Sequence, residues 1–548
     1  MSAGAKHINL RHPSHFILYR HRRNIKMRIN VVVLNSVLHD ARVLKEADSL
    51  ANAGHQVCIT GLLDKRVSAR DHVRPSGVRI HLCRPMFSEA VKKMRRVVYA
   101  AVLATVIILA ALMLAMLDFG NLPHIGGAVA ALLWLAAALA IVLFAAWSCY
   151  RLCKHITRRT SHCLREGLPR PYPRVFTGIA WRVCAYVRRL RQHTPDNIAD
   201  RALSPVKKAL QLAVQWMTQA ARKMAKPYYT EIKRQCLIDA ASLGEPDVIH
   251  CHDLWALPVG AAVKKKTGAI LVWDAHEIYE EVAQGNEEHA RMCRSLMRAH
   301  EKDVDEFITI NDSIAAFYQE KYPKLPKATI IKNATLYSER VSYDGRLHEA
   351  AGLPLTQKIA LYQGGFAEKR GLRLLVSMAA DLDPDWTLVM MGWGKLEAEL
   401  KESAASILSE TAQRDLPAVA FLPPAKQDEL VYWTAGGTVG LIPYENVGLN
   451  HLYCTPNKLW EYPAAGVPIL CSPLVEMTKS VRENGTGWTL PEESDPKAIA
   501  SIINNLAPDA IEQARAACYA YIEEDNWSKY GKRLVQLYER LRKQRQGG

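Results

Sequence analysis

Apolar runs of strand length alternate with amphipathic helical stretches along most of this chain. MRINVVVLN, QVCITGLLD, VRIHLCR, DVIHCHD, AILVWDAHE and EFITIND occupy the first part, and KIALYQGGF, WTLVMMGWG, VAFLP, GTVGLIPY and VPILCS the last. Strands alternating with helices in this way predict two α/β halves, each a parallel sheet wound on both faces. Sheets of this kind bind ligands where strand C-termini meet helix N-termini, and the glycine turns at Gly364-Gly365, Gly371 and Gly392 with Gly394 fall at that place. A 548-residue chain has room for two such domains and more.

The pattern changes between the halves. Val97 to Leu117 is 21 residues without a charge, and Ala128 to Tyr150 is 23 more. At helical rise the first is roughly 31 Å long, enough to cross a bilayer core. Lys92, Lys93, Arg95 and Arg96 precede the pair, Arg151, Lys154, Arg158 and Arg159 follow it, and the loop between has neither Lys nor Arg. The positive-inside rule then predicts a transmembrane hairpin with both α/β halves on the cytoplasmic side of the membrane. A buried soluble hairpin of this length would exceed most cores.

Charge sharpens this picture because it is local. The chain carries +17, and Arg151 to Gln235 alone has 19 Lys and Arg against 4 Asp and Glu, interleaved with apolar and aromatic residues. That spacing predicts amphipathic helices on an anionic membrane surface. No stretch resembles a nucleic-acid recognition module, so nucleic acid is not the expected partner. Twelve cysteines without framework spacing read as reduced thiols.

The last half holds a polar cluster in an apolar setting. In TPNKLWEYPAAGVPIL, Asn457, Lys458 and Glu461 fall in the opening turns of a helix that precedes a buried strand. Free backbone N–H groups and a lysine there suit a diphosphate, while Glu461 suits a sugar hydroxyl; a solvated Lys/Glu pair on a capped surface helix is the alternative. Arg370, after Gly364 and Gly365, adds a second cation.

The segments DARVLKEADSLANAGHQV, DVIHCHDLWALP, VWDAHEIYEE, YQGGFAEKRG and PNKLWEYPAAGVP, in this order, resemble glycosyltransferase family 4. The resemblance covers about residues 27–84 and 245 onward. It implies a GT-B fold, two Rossmann-like domains facing a cleft, and retaining transfer from a nucleotide sugar, with no cofactor and no metal requirement. It implies that Gly364, Gly365, Arg370, Asn457, Lys458 and Glu461 bind the donor, with Glu461 on the ribose. It places His276 near the reacting carbon with Glu277 beside it as the catalytic pair, Asp274 and His252 behind. His252 and Asp253 shape the same cleft. Asp40 and Arg42 match an Asp-x-Arg-Val segment in which the arginine meets an acceptor phosphate; an intrahelical ion pair is the other reading. Two positions depart from the family pattern. Tyr453 stands where a first glutamate is usual, and Gly365 where an arginine often follows the first glycine; Asn450 and His451 are the nearest polar substitutes for the glutamate.

His250 and His252 share one face of a strand, which invites a zinc reading, but no second cluster at ligand spacing accompanies them. Asp303 with Asp305, and Asp381 with Asp383, are better explained as solvated faces and turns.

These readings give a domain plan: a disordered basic extension at 1–26, a first α/β domain at 27–84 and 243–340, a membrane insertion at 85–242, a nucleotide-sugar domain at 341–520, and a helix at 521–548 that crosses between domains. The expected partners are a nucleotide-sugar donor, a polyprenyl-diphosphate-linked saccharide acceptor in surface polysaccharide assembly, and an anionic membrane surface. A glycolipid-forming enzyme acting on diacylglycerol or phosphoinositide, and a catalytically silent membrane scaffold, are the alternatives.

Overall fold

The computed structural model describes residues 26–64, 67, 69–84, 230–231, 233–336, 339–410 and 415–547, the side chains of 407–410 excepted. The spans expected at 97–117 and 128–150, and nearly all of the basic helices after them, lie outside the described residues. Among the described residues no helix is long and apolar enough to cross a membrane. What is described belongs almost wholly to one compact unit joining Met1–Arg84 to Arg234–Gly548.

Its described residues form two sheets. The first has eight strands, β1 (Arg28–Val32), β2 (Gln56–Leu62), β3 (Asp71–Val73), β4 (Arg79–Cys83), β5 (Val248–His252), β6 (Ile270–Ala275), β7 (Glu306–Thr309) and β8 (Ala328–Ile330), in the order β3-β4-β2-β1-β5-β6-β7-β8. All pairings are parallel except β3 with β4. The second has β9 (Lys358–Phe366), β10 (Trp386–Gly394), β11 (Val419–Leu422), β12 (Val439–Ile442), β13 (Ile469–Cys471) and β14 (Gly487–Thr489), all parallel, in the order β11-β10-β9-β12-β13-β14. β5 is buried at all five positions because helices cover both faces, so its histidines enter a dry interior.

Three helices place the site. α1 (Ala41–Asn52) starts at Asp40, whose carboxylate accepts from the Val43 N–H at 3.3 Å, and buries Val43, Ala47 and Leu50 completely. α2 (Lys458–Ala464) follows the second sheet's cleft edge. The C-terminal helix α3 (Trp527–Gly547) comes back to the first sheet: Leu534 and Tyr538 are fully buried, and the Trp527 indole N–H donates to Ser49 Oγ on α1 at 3.0 Å. The two sheets also meet at their loops. The Ile278 N–H donates to Asn450 Oδ1 at 2.8 Å, and the Asn311 amide donates to the Tyr453 carbonyl at 2.8 Å. Tyr453, the departure from the family pattern, packs its side chain against the first sheet's core.

Candidate functional site

At the end of β9 the chain turns through Gly364, at φ +129°, and Gly371, at φ +66°. A Cβ at Gly371 would stand 2.0 Å from the Pro443 carbonyl oxygen, so glycine is required both by conformation and by space. A Cβ at Gly364 would lie 3.0 Å from Lys458 Nζ, so its absence lets the ammonium approach the turn. Gly365 is exposed and accepts the Tyr362 hydroxyl proton at 3.0 Å through its carbonyl.

Two cations converge here on one phenol. The Arg370 guanidinium lies over the Tyr444 ring at 4.2 Å, and Lys458 Nζ donates to the Tyr444 hydroxyl at 3.4 Å. Lys458 is only 7% exposed, and neither cation has a carboxylate at ion-pair distance among the described residues. Burial pulls the Lys458 ammonium down to about 8, against the raising influence of nearby Glu461. A buried ammonium without an ion-pair partner is costly unless an anion arrives. Because α2 has only seven residues, these side-chain charges, rather than a helix macrodipole, supply most of the field.

Glu461 is held by the Gln363 amide, which donates to its Oε2 at 3.1 Å, while the Gln363 carbonyl accepts from Thr434 at 2.7 Å. The other Glu461 oxygen has no protein donor among the described residues and is free for a hydroxyl. Asn457 accepts from the Asn333 amide at 2.6 Å, which ties the start of α2 to the segment after β8.

The opposite face is built from neighbouring strand ends. β5 and β6 pair with His252 beside Asp274, so the loops that follow bring Asp253, His276 and Glu277 together. His276 Nε2 is 3.2 Å from Asp274 Oδ2 and 3.3 Å from His252 Nδ1; its Nδ1 is 3.3 Å from Asp253 Oδ1. Burial works against charge on this ring, but Asp274 outweighs it and raises His276 to about 9. With a carboxylate against each nitrogen, the ring is an imidazolium at neutral pH and has no lone pair with which to take a proton. Asp253, at φ +66°, also accepts from the Tyr279 hydroxyl at 2.6 Å. The exposed Glu277 has its carboxyl raised, first by partial desolvation and then by Asp253, with Arg370 close enough to oppose the rise.

Arg42 is corrected by the structure. It does not present its guanidinium to an acceptor: at 4% exposure it donates from Nε and Nη2 to Asp274 at 3.1 and 2.9 Å, pairs with Glu46 at 3.0 Å, and donates from Nη1 to the Ile331 carbonyl at 2.9 Å. The intrahelical pair is thus present and extended across the sheet. Asp40 acts as the α1 cap and accepts from the Asn35 amide at 3.1 Å. His252 is buried behind His276. His451 contacts the Glu445 carbonyl at 3.0 Å, and Asn450 is spent on Ile278. Asp305 is taken up by Lys264 at 2.7 Å.

Sequence reasoning missed Tyr444, Gln363, Glu46 and Tyr538. Gln363 left a signal, a lone polar residue in the apolar run of β9, and Glu46 another, a charge on the buried stripe of α1.

Residues 357–509 match the family described as Glycosyl transferases group 1. The chain is 22% identical over 340 residues to a D-inositol 3-phosphate glycosyltransferase of a Nocardioides species, covering 55% of this chain and 69% of that protein. It is 24% identical over 258 residues to the amylovoran biosynthesis glycosyltransferase AmsK of Erwinia amylovora, covering 45% and 61%. Among solved structures, sucrose-phosphate synthase from Thermosynechococcus elongatus superposes with a TM-score of 0.55 at 14% identity, over 94% of this chain and 98% of that one. The E. coli trehalose-6-phosphate structure bound with UDP-2-fluoro glucose does so at 0.52 and 10%, over 94% and 99%. The chain is a glycosyltransferase with a GT-B-like pair of parallel α/β sheets.

Proposed function

We propose that this enzyme is a membrane-bound retaining glycosyltransferase of the family 4 type, which moves a sugar from a nucleotide sugar to a lipid-linked saccharide at the cytoplasmic face of the membrane during surface polysaccharide assembly. The observation that carries the donor side is the uncompensated pair Arg370 and Lys458, gathered on Tyr444 at a glycine turn. As the bond from the anomeric carbon to the diphosphate breaks, its electron pair leaves with the nucleoside diphosphate, and the two cations offset that growing charge without a divalent ion there. The acceptor hydroxyl bonds to the anomeric carbon on the face the diphosphate leaves, and its proton passes to the departing phosphate. Glu461, steadied by Gln363, takes a ribose hydroxyl.

His276 acts in this scheme as a fixed cation near the sugar rather than as a base, since Asp274 and Asp253 flank its nitrogens. A fold neighbour that holds UDP-2-fluoro glucose supports a nucleotide-sugar donor, and the similarity to AmsK supports a polysaccharide role. The acceptor assignment rests on the two uncharged stretches at 97–117 and 128–150 and the basic segment after them. The deciding experiment incubates membranes containing the protein with radiolabelled nucleotide sugars and a lipid extract, with Lys458→Ala alongside. Label entering the organic phase only with the wild type is the expected result. Label confined to water-soluble product would overturn the lipid acceptor, and incorporation unchanged by Lys458→Ala would overturn the donor site.

A further inference from the structure

Behind His276, on the buried side of the same strand ends, three side chains converge that sugar transfer leaves unused. Glu46 comes from α1, and His250 and His252 stand two apart on β5, so both rings project from one face of the strand. The rings stack with centroids 4.5 Å apart and planes 15° from parallel. All three residues are 0–1% exposed.

Each histidine is anchored through one nitrogen and directed by the other. His250 Nδ1 pairs with the Tyr538 hydroxyl at 2.9 Å, and His252 Nδ1 faces Asp274 Oδ2 at 3.4 Å and His276 Nε2 at 3.3 Å. Both Nε2 atoms turn instead toward Glu46 Oε2, at 3.7 Å and 3.8 Å. Those separations are too long for hydrogen bonds, and none of these three atoms has a hydrogen-bond partner among the described residues. With its proton on the nitrogen that faces the Asp274 carboxylate, His252 would present a lone pair at Nε2. Lone pairs of nitrogen and carboxylate oxygen facing one another in a dry interior repel unless a proton or a cation stands between them.

The spacing suits a small cation. Zinc held ~2.0–2.1 Å from imidazole nitrogen and carboxylate oxygen sets tetrahedral ligand atoms roughly 3.3–3.5 Å apart, so Glu46 Oε2 stands a few tenths of an ångström too far from each ring nitrogen, and the two stacked rings would turn toward each other to share an ion. The surroundings match as well: ligating imidazoles characteristically give their second nitrogen to a carboxylate or another polar group, here Asp274 and Tyr538. Arg42 already engages the other Glu46 oxygen at 3.0 Å and both Asp274 oxygens, which leaves Glu46 Oε2 to act as the anionic ligand.

We propose that Glu46, His250 and His252 form a buried divalent transition-metal site, with zinc as its natural occupant, that clamps α1 to β5 and, through Tyr538, seats α3. Imidazole with carboxylate is a donor set that zinc favours over magnesium or calcium. The site is separate from the diphosphate cations and does not depend on the proposed acceptor. Its expected role is to hold the floor under His276, not to polarise substrate.

The test uses the full chain in detergent micelles after growth in zinc-supplemented medium. Elemental analysis after gel filtration is expected to find about one zinc per chain in the wild type and in His276→Ala, and less than about a tenth in His250→Ala and Glu46→Gln. Where those variants do not fold, chelator-treated wild type titrated with Co(II) is expected to develop the visible absorption of Co(II) bound to nitrogen and oxygen ligands, complete near one equivalent and abolished by zinc. A folded wild type with less than about a tenth of a zinc per chain and no Co(II) band overturns the site. Equal zinc in the wild type and in folded His250→Ala and Glu46→Gln also overturns it, by showing the ion to be adventitious. Nucleotide binding measured on the same samples keeps this outcome distinct from that of the donor site.

Discussion

The two faces of the cleft use charge in opposite ways. On the second sheet, Arg370 and Lys458 stand close together about an aromatic ring, with no carboxylate at ion-pair distance among the described residues. On the first, Arg42, Glu46, Asp274 and His276 offset one another across elements far apart in sequence, and three of the four are almost wholly buried. On the proposed reading, charge left without a partner in a partly dry place awaits an anionic ligand. Charge already paired marks architecture, and what it offers the substrate is placement. The same residue type, arginine, therefore stands in different surroundings at positions 42 and 370, paired with carboxylates at one and over an aromatic ring at the other.

The largest effect that would break this comparison is on stability. Arg42→Met removes the cation from two buried carboxylates, and an uncompensated buried charge typically costs ~3–5 kcal/mol. Chemical denaturation should show a loss of that order, whereas Arg370→Met should leave stability within ~1 kcal/mol, because a half-buried cation without an ion pair leaves no charge orphaned when removed. If both variants lost equal stability, paired and unpaired would not be the distinction that matters. Next in size is Lys458→Ala. Charge-assisted hydrogen bonds are worth roughly 1.5–3 kcal/mol, so nucleoside diphosphate affinity measured by calorimetry should fall about 10- to 150-fold. A fall below about threefold would remove Lys458 from the phosphate site.

The legible part of the molecule was the part encoded locally. Alternating strands and helices announced both sheets, and Gly364, Arg370, Lys458 and Glu461 lie in short segments whose spacing carries their chemistry. What stayed hidden depended on contacts between segments. Tyr444 follows β12 and gives no sign in sequence that two cations from other loops will share its ring. Arg42 shows why a motif can mislead: it lies on the same helical stripe as Val43, Ala47 and Leu50, and a charge on an apolar stripe points to a buried partner rather than to a ligand. Read that way, Glu46 on the same stripe becomes visible too. His250 and His252 invite a zinc reading that no second cluster at ligand spacing elsewhere in the sequence supports, and the carboxylate that the fold brings to them, Glu46, comes from α1, some two hundred residues earlier.

A smaller effect sharpens the unpaired side. Tyr444→Leu keeps an apolar side chain but removes the ring under Arg370 and the hydroxyl that receives the Lys458 proton. A cation–π contact of ~0.5–1 kcal/mol, with one weak hydrogen bond, implies a donor affinity loss of about five- to tenfold. Tyr444→Phe, which keeps the ring, should lose less than threefold. An equal loss in the two variants would assign the effect to the hydroxyl and remove the stacking argument.

The smallest effect is in pH, and its sign separates the faces. Lys458 is lowered from its ordinary 10.5 to about 8 by burial, so the unfolded chain holds a proton that the folded, ligand-free protein has lost between those values. Stability of the free protein from this group therefore rises as pH climbs from about 8 toward 10.5, relieving a penalty fully present below 8. Donor affinity moves the other way, because the diphosphate needs the ammonium: it should be flat below about 8 and weaken above, by at most about tenfold per pH unit. Lys458→Met should abolish both trends, so the difference between wild type and variant isolates them from other titrating groups. An affinity that stays flat to pH 9.5 in the wild type would mean that the ammonium is not what the diphosphate meets, and the unpaired cation would then be a fault in the packing rather than a site.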